Sequence, residues 1–543
     1  MKMKSTVLKS AAVAMMFAPC LASSAGESPL MIGWGRRSLN PGRPVAITGQ
    51  HYLRVSLGEY NPVTANALVL ENGRDAAIFV SLDMVSLRGG LLDMVRAKVA
   101  AAKLGIPAEK IIMNATHTHA GPSFSEKKPA VAGMEYMPTK EILDFISTQI
   151  ADAVVEAWKT RKPGSVAYGY GFATTGHSRR VVYLPGGEVK TALPGADANG
   201  LARMYGDTSE KGFSHYEAGT DAFINLLYTF DAAGKLTGAV VNVPCPAQTN
   251  EHAWELHAGF WHHVRAKLRA KYGDIGVIGQ AAAAGDLSPR QLHYNAAELR
   301  RYKLKFPKEY QAYLAKPLRY PEGFFVDDEE RIRREERDLL DMMRAEDIAL
   351  RIVAAFDEVL EWASREKSAN PVLRHQVRQV ELERRLISEE EYRESKRNVE
   401  LLTAEKAQLE AAKQEVPRTL NARLGRSKQA VARHELQQKS PRLATEIHAV
   451  RIGDAAFTSN RFELYMDFMH RIQARSPFVQ TFVVQLTAVP GADGGSYLAT
   501  ERAAKNLGYS ATLFTNQVSA KGGQELVEDT LEMLDELHRD QAE

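Results

Sequence analysis

The stretch Lys110-Ile111-Ile112-Met113-Asn114-Ala115 runs directly into Thr116-His117-Thr118-His119-Ala120-Gly121-Pro122. Its first six residues read as a short apolar strand. On extended chain two histidines at i and i+2 point to the same side. Imidazole is the commonest metal ligand. Gly121-Pro122 then turns the chain away, which leaves both rings at a strand end where a pocket can form. A pair of hydrogen-bonding loop histidines satisfies the same pattern, because His-x-His alone is a weak metal signature.

Working outward, strand-like and helix-like runs alternate. Residues 67–70 and 76–82 read as strands across the Asn72-Gly73 turn. Helical runs are expected at 91–102, 141–160 and 254–271, and strands at 224–230, 239–244 and 275–281. From about 296 to 440 the texture changes to charge runs such as Asp327-Asp328-Glu329-Glu330-Arg331. Heptads are not sustained, so long helices with solvated faces are expected near 328–366 and 388–413, with a strand between them near 374–383. Alternation returns after 441, with strands at 446–452, 455–458 and 481–487 and helices at 461–472 and 524–538. The expectation is one large mixed-sheet α/β catalytic domain over 26–540, interrupted by a charged helical insertion at about 296–440.

The chain has 543 residues, with 69 Lys and Arg against 66 Asp and Glu. Lys2, Lys4 and Lys9 carry the whole excess. They precede the apolar run from Ala11 to Ala18 and the small residues Ser23 and Ala25, the pattern of a secretory signal cut after Ala25. The remainder is then neutral, with no footprint for nucleic acid and no polybasic membrane anchor. No later run spans a bilayer. The protein is expected to be exported, to the periplasm or beyond. Cys20 leaves with the signal, and Cys245 alone cannot form an internal disulfide. A metal site must therefore rest on His, carboxylate or phenolate oxygen.

Three further motifs bear on chemistry. Gly285-Asp286-Leu287-Ser288-Pro289 follows a buried strand, and Ser288 reads as a nucleophile, a substrate-anchoring hydroxyl or an ordinary helix N-cap. No Gly-x-Ser-x-Gly elbow surrounds it. Asn460-Arg461-Phe462-Glu463 reads as a capping box, with Glu463 bonding back to Asn460. His252, His257, His262 and His263 are spaced so that the helical steps turn the rings apart, and no His-Glu-x-x-His pattern occurs among them. Most of these are expected on the surface or facing a partner.

Taken in order, His117–Pro122, the Gly-Asp-x-Ser-Pro turn, Glu463, and Gly494-Gly495-Ser496-Tyr497-Leu498-Ala499-Thr500 resemble the neutral/alkaline non-lysosomal ceramidase family over most of residues 30–540. The resemblance implies one zinc ion held by His117, Glu463 and Tyr497. It implies that His119 and Tyr509 contact a substrate amide, that Arg179 is the active-site arginine with Arg180 one step away, and that Ser288 matches a serine proposed as nucleophile. Two departures stand out. The family's second zinc histidine falls on Pro246, in Cys245-Pro246-Ala247-Gln248, which leaves His252 or His119 to fill that place, or a zinc site that is weak or absent. The family also carries a C-terminal β-sandwich, and none is expected here.

The function implied is a zinc-dependent hydrolase of an N-acyl amide linkage, acting on a small-molecule or lipid-like substrate. Two alternatives stand beside it: a hydrolase of a non-lipid acylated substrate such as an acylated sugar, and a catalytically inactive binding protein on the same fold.

Overall fold

A computed structural model describes residues 29–50, 52–185, 200–414, 416–491 and 495–540. The expected signal segment and Gly494 lie outside these residues. Eight strands form the large sheet: β1 (Met31–Ser38), β2 (Thr64–Glu71), β3 (Ala76–Leu82), β4 (Ile111–Ala115), β5 (Lys162–Phe172), β6 (Phe223–Asp231), β7 (Leu236–Val243) and β8 (Gly276–Ala281). Their order is β8-β7-β6-β5-β1-β2-β3-β4. The outermost pairs, β3–β4 and β7–β8, are parallel, and the inner pairs are antiparallel. Each parallel pair needs a crossover. Helix α1 (Leu91–Ala101) supplies one, and α3 (Phe260–Tyr272), which follows α2 (Thr139–Thr160) in the chain, supplies the other.

Strict alternation divides each strand between two cores. On β3, Ala76, Ile78, Val80 and Leu82 face a helical layer of α1, α2, α3 and the second half of α4 (Asp328–Ala363). Ala77 and Phe79 face the opposite way, into the gap between two sheets. That gap is closed by a smaller sheet of β9 (Leu373–Glu383), β10 (Arg442–Ile452), β11 (Ala455–Ser459) and β12 (Gln480–Val484), in that order. Phe79 packs 4.9 Å from Phe457, which stacks on Phe482 at 4.1 Å. The outer face of the small sheet is covered by two later helices, Met466–Arg475 and Ala520–Arg539. The result is four layers, helix–sheet–sheet–helix, as a chain with two amphipathic sheets requires. Among the described residues no helix is long and apolar enough to cross a membrane.

The charged section is not set apart from this body. Ile348, Ile352, Phe356 and Val359 of α4 lie in the core against the large sheet, and β9 pairs along its whole length with β10. The helical pair α5 (Glu389–Ala411) and α6 (Arg418–Gln437) carries its own small apolar cluster of Leu402, Leu420 and Leu424.

Asp338 of α4 is 5% exposed and accepts a hydrogen bond from Tyr320. Burial raises its pKa from the ordinary carboxyl value to about 7, with the Tyr320 bond pulling the other way. The unfolded chain releases this proton near pH 4 while the native state keeps it to about pH 7. Stability from this group is therefore present below pH 4, falls as pH rises to 7, and is flat above, a swing of at most about 4 kcal/mol. The Asp338→Asn variant is expected to lose that component. Thermal melts at pH 5 and pH 8 check it: the wild type should lose more stability between them than the variant does.

Candidate active site

The site lies where several strands end together. β4 delivers Thr116 and His117, which bend sharply: the His117 N–H bonds to Met84 O at 3.0 Å and the residue adopts φ 65°. The histidine pair is thus not on extended chain, as the spacing suggests, but on a strained turn. In this turn the His117 Nδ1 meets the Val85 carbonyl at 2.6 Å. That bond places the ring proton on Nδ1 and leaves the Nε2 lone pair facing the cavity. His119 Nε2 lies 3.3 Å from His117 Nε2, the two rings meeting edge to face. Gly49, at φ 105°, lies flat on the His119 ring, where an added Cβ would come within 2.7 Å. Burial holds both imidazoles below their ordinary pKa, and for His119 the adjacent His117 adds to the shift.

Glu463 and Tyr497 come together through the backbone. The two-residue strands Glu463–Leu464 and Tyr497–Leu498 pair in parallel with Glu463 opposite Tyr497. Two close approaches require glycine. A Cβ on Gly495 would fall 1.6 Å from Arg461 O, and one on Gly285 would fall 2.3 Å from Glu463 O. Glu463 Oε2 reaches to 3.6 Å from His117 Nε2. Burial raises the Tyr497 phenol well above its ordinary pKa, against the pull of Arg179. The capping box expected at Asn460–Glu463 does not form. Asn460 Oδ1 accepts from Phe462 N–H at 3.1 Å, and the next helix begins only at Met466, because Glu463 is taken into the short strand.

Arg179 is 1% exposed. Its Nη2 donates to Gly285 O at 2.8 Å and to the Tyr497 hydroxyl at 3.2 Å, and lies 3.5 Å from Glu463 Oε2. It stands behind the acid–phenol pair. The cavity wall itself carries His117, His119, Glu463, Tyr497 and Tyr509, with Arg88 and Lys127 as its cations, around about 310 Å³. The Tyr509 ring meets Tyr497 edge-on at 5.8 Å, and burial raises its pKa. Six of the eight candidate residues are therefore brought together.

Ser288 and His252 are not. Ser288 is buried, its hydroxyl accepts from Arg290 N–H at 3.0 Å, and it does not line the cavity. It pairs with His177 in a two-residue bridge, so it caps no helix either. His252 reaches the Tyr52 hydroxyl at 3.3 Å and lies 3.8 Å from Glu251, and it does not itself line the cavity. His257 is buried rather than on the surface, its Nδ1 accepting from Gly259 N–H.

One residue that pattern reading passes over is Glu251. It accepts from Gln248 Nε2 at 2.6 Å and lies 3.5 Å from Arg290 and 4.0 Å from His119 Nδ1. Although burial opposes its charge, His119, Arg290 and His252 hold its carboxyl down to about 2. Its only local signal is its place in the turn after β7, three residues beyond Gln248.

Among the described residues no three His, Cys, Asp or Glu side chains form a ready cation cage. The donors that meet here include a phenol as well: His117 and His119 nitrogens, the Glu463 carboxylate and the Tyr497 oxygen. Nitrogen and oxygen donors of this kind suit zinc, and the His117 Nδ1–Val85 bond is the outer support that metal-bound imidazoles use. Pro246, buried at the end of β7, offers no donor side chain.

No family model matches the chain, and no curated protein sequence does. Solved structures do. The neutral ceramidase from Pseudomonas aeruginosa superposes with a TM-score of 0.59 at 16% identity, covering 94% of this chain and 75% of that one. A ceramidase in complex with C2 gives 0.59 and 16%, covering 95% and 76%. At that identity the likeness is one of architecture, and over nearly its whole length this chain has the fold of the neutral ceramidases.

Proposed function

We propose that the protein is an exported hydrolase of N-acyl amide bonds that works with one zinc ion. A single observation carries the reading. His117, Glu463, Tyr497 and Tyr509, spread over nearly 400 positions of sequence, line one cavity on a ceramidase-like fold. His117, Glu463 and Tyr497 would hold the ion, which when bound supplies Lewis acidity toward water and an acyl carbonyl.

The chain's own residues do the rest. Val85 O fixes the His117 tautomer, so its Nε2 is free of a proton. Arg179 holds Tyr497 by a hydrogen bond and Glu463 by charge, so neither oxygen needs to reorganise during a reaction. The Tyr509 phenol, with its pKa raised, keeps its proton at neutral pH and faces the cavity as a donor toward a developing oxyanion. Such a donor is typically worth about 3 kcal/mol. The lysines, apolar run and small residues before position 26 support export.

A second reading, an acylated sugar as substrate, is favoured by the cavity wall. Gln50, Ser123, Ser125, Arg88 and Lys127 offer more hydrogen bonds than an acyl tail can use. Assay of a short-chain fluorescent ceramide beside N-acetylated and O-acetylated sugars separates the two. Release of amine from the ceramide or the N-acetyl sugar supports amide hydrolysis. Turnover of O-acetyl sugars alone removes the amide reading, and absence of both metal and turnover leaves the inactive binding protein.

A further inference from the structure

We infer that His119, not His252, is the second imidazole donor of the metal site, with Glu251 as its outer carboxylate. This rests on the zinc reading above and deepens it. Pro246, just beyond the end of β7, offers no side-chain donor. Geometry on the opposite wall supplies a replacement. His117 Nε2 and His119 Nε2 are 3.3 Å apart. Two nitrogens bound to one tetrahedral zinc at ~2.0–2.1 Å are separated by about 3.3–3.4 Å.

The protons tell the same story. The Val85 carbonyl accepts a hydrogen bond from the Nδ1–H of His117. His119 Nδ1 is buried without a hydrogen-bond partner, and the Glu251 carboxylate lies 4.0 Å from it. A carboxylate facing that nitrogen favours a proton on it. With a proton on each Nδ1, both Nε2 lone pairs converge on one point and suit a shared cation; with the His119 proton on Nε2, the same pair is a hydrogen bond. Gly49 is packed against the His119 ring on one side. Glu251 is itself fixed by Gln248 and Arg290. Carboxylates placed behind metal-bound imidazoles orient the ring and raise its basicity. His252, the nearest histidine in sequence to Pro246, is engaged with Tyr52.

The test is a direct metal titration of the full chain, stripped with chelator, using zinc in competition with a chromophoric chelator and cobalt(II) followed by its visible absorption. The wild type is expected to take up one equivalent and to show the intense bands of four-coordinate cobalt. His119→Ala and the near-isosteric His119→Gln should weaken zinc binding at least about 100-fold and lose or shift those bands. Glu251→Gln should weaken binding about 10- to 100-fold, and His252→Ala should leave it unchanged. Thermal melts confirm which variants are folded, and the glutamine variant serves if alanine is not. Wild-type affinity in both His119 variants would overturn the inference while the zinc reading stands. Loss of binding in His252→Ala alone would move the role to His252. A wild type that hydrolyses substrate without binding either metal would remove the zinc reading and this inference with it.

Discussion

Replacing His117 by alanine is expected to lower kcat/KM for any N-acyl substrate by at least about a thousandfold, or roughly 4 kcal/mol of transition-state stabilisation. The residue has no substitute on the cavity wall. Its Nε2 is the atom that both His119 and Glu463 approach. The cost to folding should run differently. His117 sits at φ 65°, where a side chain other than glycine's is strained by about 1–2 kcal/mol. His117→Ala keeps that strain and leaves the Val85 carbonyl without its partner. His117→Gly loses the same bond but relieves the strain. The glycine variant should therefore be as inactive as the alanine variant and melt at a higher temperature. Side-by-side activity assays and thermal melts check both statements. Substantial hydrolysis by either variant would remove His117 from the chemistry, and a glycine variant less stable than the alanine one would remove the strain argument.

A strained backbone at a proposed site residue is also the place where local sequence rules fail, and here they fail in an ordered way. Strands whose two faces both pack against side chains were legible. β2 and β3 read correctly as strand-like runs joined by Asn72-Gly73, and α4 and β9 from length and pattern. β1 and β5 were missed because glycine breaks their apolar signal. In β1 an added Cβ at Gly33 or Gly35 would fall on the carbonyls of Ala157 and Ala153, so α2 lies directly on the strand. In β5 Gly169 and Gly171 make room for Trp362 and Val359 of α4. Close packing of helix on sheet, which strengthens the fold, is what removed the evidence of strand from the sequence.

The site follows the same logic. His117 was visible because a strand end and a following Gly-Pro mark it locally. By local rules Glu463 was visible only as a cap, since its partner, Tyr497, is brought beside it by a parallel register that no local window contains. Glu251 was invisible, because a single carboxylate in a turn gains meaning only from the His119, Gln248 and Arg290 that surround it in space. The order of motifs along the chain carried the family resemblance, and the fold agrees with it. Convergence of the six residues needed coordinates.

The neighbouring arginines divide the remaining work, and Arg180 is where a substitution should cost the most stability. Arg179 faces the acid–phenol pair, while Arg180 turns to the opposite side and forms a fully buried ion pair with Glu217. Arg180 also donates to the carbonyls of Leu507 and Tyr509. That turn passes through positive φ at Leu507, Gly508 and Ser510, and it is the turn that presents Tyr509 to the cavity. Residues held so persist only where surrounding contacts over-determine them. Arg180→Met should destabilise the protein by about 3–5 kcal/mol, because Glu217 is left charged and buried. The double variant Arg180→Met with Glu217→Met removes that charge and should recover much of the stability. Activity should not return with it, since the carbonyls of the 507–510 turn still lack their donor and Tyr509 is no longer held in place. Melting temperatures with kcat and KM for the single and double variants separate the two effects. A double variant that regains stability and full activity together would show that Arg180 acts through folding alone, and Tyr509 would then be positioned by the Tyr465–Ser510 hydrogen bond, at 2.7 Å, without its help.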